Sequence, residues 1–127
     1  MLERNNPSLV RACCSLEGLS VGDAFGERFF LHPDVAENLI AARAIPEAPW
    51  YYTDDTQMAL SIVSILQTFG RIDQDSLASS FAQRYEIGRG YGPAMHRLLR
   101  KIQDGELWHQ LAPNLFNGQG SFGNGVI

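Results

Sequence analysis

Met58, Ala59, Ile62, Ile65, Leu66 and Phe69 recur at i, i+3, i+4 and i+7 after Asp55, and Gly70 closes the run. That spacing puts the apolar side chains on one face of a long α-helix and predicts a core helix from Asp55 to Phe69. No other stretch constrains the fold so tightly. Just ahead of it stands Tyr51-Tyr52-Thr53-Asp54-Asp55-Thr56, two adjacent carboxylates between two threonines. Thr53 or Asp54 can cap the helix by accepting from its unpaired N–H groups, and acidic residues favour that positive end. A cap uses one oxygen, whereas here two carboxylates and two hydroxyls crowd a single turn. Such a set also suits a hard cation such as Mg²⁺ or Mn²⁺, which would remove the repulsion between adjacent carboxylates. Composition leaves both readings open.

The other segments arrange themselves around this helix. Asn6 as cap and Pro7 at the first helical position start a helix over residues 8–25, with Leu9, Val10, Cys13, Leu16, Leu19 and Val21 on several faces, the pattern of a buried helix. Gly18 and Gly22 leave one face without side chains, either for close packing or to bring Asp23 into the cavity of the acidic turn. Gly26 is expected to end the helix in a left-handed conformation, with Glu27 just beyond it. Residues 33–43 form a short amphipathic helix with Val35, Leu39 and Ala42 inward, and residues 45–52, with Pro46 and Pro49, an extended loop. Asp75 is expected to cap a helix over 76–87 with Leu77, Phe81 and Tyr85 on one face. Gly88-Arg89-Gly90-Tyr91-Gly92 is either a turn between helices or a backbone cradle for phosphate, with Tyr91 to stack a base or ribose and Arg89 to pair with phosphate. A helix over 93–102, closed by Gly105, and a short helical turn over 106–111 follow. Residues 117–125 are rich in glycine but lack the strand-to-helix context of a dinucleotide fold and any P-loop lysine.

At 127 residues, with 45% hydrophobic and 19% charged residues, the chain has the size and composition of one modest folded domain. A net charge of −4 argues against a general nucleic-acid binder, and Arg97, Arg100 and Lys101 fit a solvated helix face. No apolar run approaches the roughly 20 residues that span a bilayer. Cys13 and Cys14 are expected to be buried small hydrophobes rather than a disulfide, which with the lack of a signal-peptide pattern suggests a cytoplasmic protein.

Thr53-Asp54-Asp55-Thr56-Gln57-Met58, preceded by Gly18-Leu19-Ser20-Val21-Gly22-Asp23-Ala24-Phe25-Gly26 and followed by Gly90-Tyr91-Gly92 and Gly123-Asn124-Gly125, resembles the ADP-ribosylglycohydrolase family, which includes the dinitrogenase-reductase-activating glycohydrolases. The resemblance implies an all-α helical bundle of which residues 1–127 are the N-terminal part, and therefore an incomplete domain. It implies a metal-dependent hydrolase that removes ADP-ribose from protein side chains or related conjugates, with ADP-ribose or an ADP-ribosylated protein as partner and two Mg²⁺ or Mn²⁺ ions. By the same resemblance Thr53, Asp54 and Asp55 are metal ligands, Glu27 the acid–base or water-positioning carboxylate with Asp23 in support, and Gly90, Tyr91, Gly92, Ser121, Gly123, Asn124 and Gly125 substrate contacts. The family's second acidic element, Asp-x-Asp-Thr/Ser, is not found beyond Gly92; Asp73-Gln74-Asp75 lies at a helix start. The chain is thus expected to be an N-terminal fragment whose apolar faces favour self-association. Two alternatives stay open: a catalytically silent ADP-ribose-binding or structural helical protein, and a two-metal hydrolase acting on a phosphoester.

Overall fold

In the computed structural model, residues 6–120 are described, and they are all-α, with no strand among them. Helix α1 runs Pro7–Glu27, α2 Pro33–Ala41, α3 Asp54–Phe69, α4 Gln74–Arg84 and α5 Pro93–Gln103; a 3₁₀ turn, Ile87–Arg89, precedes α5, and the single-turn α6, Trp108–Leu111, follows it. Packing is sequential: α1 lies on α3, α3 on α4, and α4 on α5. The shared core contains Ile65, Ala82, Leu98 and Leu99, with Leu9 and Ala24 buried on the α1 side. An apolar cavity of about 270 Å³ remains between α3, α4, α5 and α6, lined by Met58, Leu77, Phe81, Leu98, Leu99 and Trp108 among others. No helix of the described residues is long and apolar enough to cross a membrane.

Local chemistry sets most element boundaries. Asn6 Oδ1 accepts from the N–H groups of Ser8 (2.9 Å) and Leu9 (3.3 Å), with Pro7 behind it, as the sequence predicts for the start of α1. Gly70, at φ 69°, ends α3 by donating its N–H to Leu66 O. The extended segment before α3 is held by Trp50, which donates Nε1–H to Pro46 O and sets its ring edge-on to Phe25.

Four expectations need correction. Gly26 lies inside α1 rather than ending it, so Glu27 belongs to the last turn of the helix. Helix α1 is not buried all round: Val10, Val21, Cys13 and Cys14 are exposed, because α3 is the main element packed against it among the described residues. Among the described residues a methyl group added at Gly18 or Gly22 would meet nothing within 4 Å, so none of their backbone packs closely there. The cap of α4 is Asp73, not Asp75, and the helix starts two residues earlier than expected; Asp75 sits in the first turn and accepts from Trp108 Nε1 at 2.6 Å.

Candidate active site

The acidic turn is the first turn of α3, and Thr53 is its cap, although the cap bond is weak: Thr53 Oγ1 accepts from Asp55 N–H at 3.4 Å. The stronger grip comes from another helix. Asp23, in the penultimate turn of α1, accepts from Thr53 N–H (2.8 Å) and Thr53 Oγ1–H (2.6 Å), and from Thr56 N–H (3.3 Å) and Thr56 Oγ1–H (2.5 Å). A carboxylate thirty residues away thus closes the helix start that the two threonines cannot close for themselves. Burial alone would raise the Asp23 carboxyl, but the four hydrogen bonds outweigh it and hold the group below the usual aspartate range. A carboxylate so held is a weak base; its position makes it a clamp.

Asp54 behaves in the opposite way. Burial first, then the charge of Asp55 beside it, push its carboxyl above the usual range, against hydrogen bonds from its own amide and from Thr53. The neighbouring negative charge is the kind of penalty that a bound cation relieves. Thr53 suits the same purpose. Its hydroxyl proton goes to Asp23 Oδ1 and one of its lone pairs accepts from Asp55 N–H, which leaves one lone pair as a donor for a hard cation. Among the described residues no group of three or more His, Cys, Asp or Glu side chains is arranged to hold a metal, so the donor set on this turn is two carboxylates and a hydroxyl.

These groups open onto a cleft of about 590 Å³ lined by Gly22, Asp23, Gly26, Glu27, Phe30, Thr53, Asp54, Asp55, Gly90 and Gly92. Asp23 and Glu27 share it because they are four apart on one helix, a placement that follows only once Glu27 is helical. The glycine loop forms part of the rim, beside Asp54. Gly90 is at φ +88°, and a methyl group there would lie 3.8 Å from Asp54 Oδ1. Tyr91 points the other way: it is 5% exposed, its hydroxyl donates to Gln57 Oε1 at 2.9 Å, and its ring packs edge-on to Tyr85 and His96. Burial, with the nearby charges of Asp54 and Glu86, pushes its phenol up to about 12, so it remains a donor at neutral pH. The loop therefore offers the cleft its backbone at Gly90 and Gly92, not a stacking ring at Tyr91. Arg89 is likewise engaged, stacked 3.8 Å over the Tyr52 ring and donating to Tyr52 O and Glu86 Oε2. Ser121, Gly123, Asn124 and Gly125 lie outside the described residues.

One residue here had no role assigned from sequence. Gln57 is 3% exposed, and its Oε1 accepts both Tyr91 O–H and Glu86 N–H (3.1 Å). Gln57 shares its buried face of α3 with Thr56, Ser61 and Ile65, off the apolar repeat that the sequence displays, so periodicity gave no signal for it.

A chain whose described residues are all helical and whose acidic helix start and glycine loop line one open cleft defines a class: α-helical proteins with a carboxylate-lined cleft. The ADP-ribosylglycohydrolase family profile matches residues 5–127, and the chain belongs to that family. It is 34% identical over 124 residues to ADP-ribosylhydrolase ARH3 of Xenopus tropicalis, covering 88% of this chain and 35% of that protein. The Homo sapiens ARH3 is 31% identical over 134 residues (93% and 36%) and the Gallus gallus ARH3 32% over 142 (96% and 38%). The chain spans about a third of the length of the curated relatives it matches. No solved structure matches it.

Proposed function

We propose that this chain carries one wall of an ADP-ribosyl hydrolase site, acting on ADP-ribose attached to a protein side chain or a related conjugate. The observation that supports the reading most is the convergence of Asp23, Glu27, Thr53, Asp54 and Asp55 with Gly90 and Gly92 on a single cleft. The reaction is displacement by water at the anomeric carbon of the ribose: the bond to the side chain breaks, a bond to the water oxygen forms, and a proton passes to the leaving group. Thr53 Oγ1 and the Asp54 and Asp55 carboxylates would hold Mg²⁺ or Mn²⁺, which when bound orients ribose hydroxyls and polarises the water. Glu27, which lines the same cleft, would accept the water proton and return it. Asp23 keeps the acidic turn in register. The exposed backbone at Gly90 and Gly92 admits the diphosphate closely, with no side chain in its way.

Calorimetric titration of Mg²⁺ and of ADP-ribose, each alone and then together, tests this on the 127-residue chain at a defined oligomeric state. Metal binding that strengthens ADP-ribose binding, and that Asp55→Ala removes without lowering the melting midpoint, supports the site. A folded chain that binds neither ligand sinks it.

A further inference from the structure

The glycine rim has no side chains at Gly90 and Gly92 with which to hold itself beside Asp54. Its place must be set by neighbouring residues, and the structure shows two tethers. The outer one is Arg89, stacked on Tyr52 and bonded to Tyr52 O. The inner one consists of two donors, Glu86 N–H ahead of the glycines and Tyr91 O–H between them, and both end on the same atom, Gln57 Oε1. Gln57 follows Asp55 by two residues, within the first turns of α3, and is buried. Both walls of the cleft are therefore measured from one helix start: the acidic wall directly, the glycine wall through a single amide oxygen. Behind Tyr91 the bracing continues inward, since its ring packs on Tyr85 and His96 and the Tyr85 hydroxyl bonds His96 Nδ1.

We propose that Gln57 is a positioning residue: its amide oxygen sets the distance between the Gly90–Gly92 backbone and the Asp54–Asp55 turn, and so the affinity of the cleft for a diphosphate-bearing ligand. The ligand half of this inference rests on the ADP-ribose reading above; the strut itself does not.

Three variants test it in the full chain: Gln57→Met, which keeps length and apolar volume but removes the acceptor; Tyr91→Phe, which removes one donor; and the two combined. The readouts are ADP-ribose affinity with Mg²⁺ present, the melting midpoint, and the backbone order of the Gly90 and Gly92 amides by ¹⁵N relaxation. Gln57→Met is expected to weaken ADP-ribose on the order of tenfold, the effect of losing two modest hydrogen bonds. Tyr91→Phe should weaken it less, and the double variant no more than Gln57→Met, because both substitutions cut the same strut. The two glycine amides should lose order while those in the middle of α3 keep theirs. A purely structural glutamine would lower the melting midpoint and leave the glycine amides as ordered as before, and that result overturns the proposal. Should the unaltered chain bind no ADP-ribose, the functional reading fails, while the glycine amides still decide the strut. Should Gln57→Met not fold, Tyr91→Phe alone decides, by loosened or unchanged glycine amides.

Discussion

Two helix starts in this chain look alike in sequence and differ in chemistry. Thr53-Asp54-Asp55-Thr56 opens α3, and Asp73-Gln74-Asp75-Ser76 opens α4. At α4 the acids serve the fold. Asp73 Oδ1 accepts from Ser76 N–H at 3.0 Å, which lowers its pKa, and Asp75 fixes Trp108. At α3 much of that work is done from outside, by Asp23, and Asp54 is left beside another negative charge with its pKa raised and its carboxyl on the cleft. The lesson is that an acidic helix start becomes chemically available when a distant group takes over the capping. Stability sacrificed at one turn and recovered at another is the expected signature of a functional site.

The largest test of this comparison is Asp23→Ala. It orphans four donors, two of them on Thr56, which is 3% exposed. Allowing for the partly solvated carboxylate, we expect a loss of about 2–3 kcal/mol in urea unfolding, with α3 fraying from its first turn. Gly90→Ala comes next. At φ +88° an alanine costs about 1–2 kcal/mol, and its methyl group would sit against Asp54 at the cleft edge, so thermal stability and Mg²⁺-dependent ADP-ribose binding should fall together.

Asp73→Ala removes an ordinary cap and should lower the melting midpoint less than Asp23→Ala, with no effect on ligand binding. Its pH dependence has a definite sign. The folded-state pKa lies below the ordinary 3.8, so the cap contributes stability above that value, and the contribution is lost as pH falls through the folded-state pKa. The stability difference between the parent chain and Asp73→Ala should therefore be constant near neutrality and shrink in acid below about pH 4. The smallest effect has the opposite sign. Asp54→Asn relieves the repulsion from Asp55 and should leave the ligand-free chain as stable or up to about 1 kcal/mol more so, while weakening Mg²⁺. If Asp54→Asn instead destabilises the chain as much as Asp73→Ala does, the two helix starts do the same job and the contrast is void.

Much of this molecule was legible residue by residue. The α3 boundaries, the Asn6–Pro7 start of α1, the Gly70 stop and the extended run before Thr53 all follow from bonds or steric limits that reach across a few neighbours. The acidic turn and the glycine loop were legible as candidates for the same reason, as dense local groupings of oxygen and of glycine. Long-range partnership was not. Asp23 and Thr53 are thirty residues apart and Gln57 and Tyr91 thirty-four, and nothing in a local pattern says which carboxylate will clamp and which will face the cleft. Nor could periodicity foresee that α1, apolar on several sides, would bury only its α3-facing side among the described residues. Sequence alone determined the bounds of α3, the start of α1 and which turns are rich in oxygen, because capping, periodicity and glycine φ angles act within one or two turns. Only the tertiary structure decided the role of each oxygen. A hydrogen bond depends on which helices come together, and that is settled by packing between residues far apart in the chain.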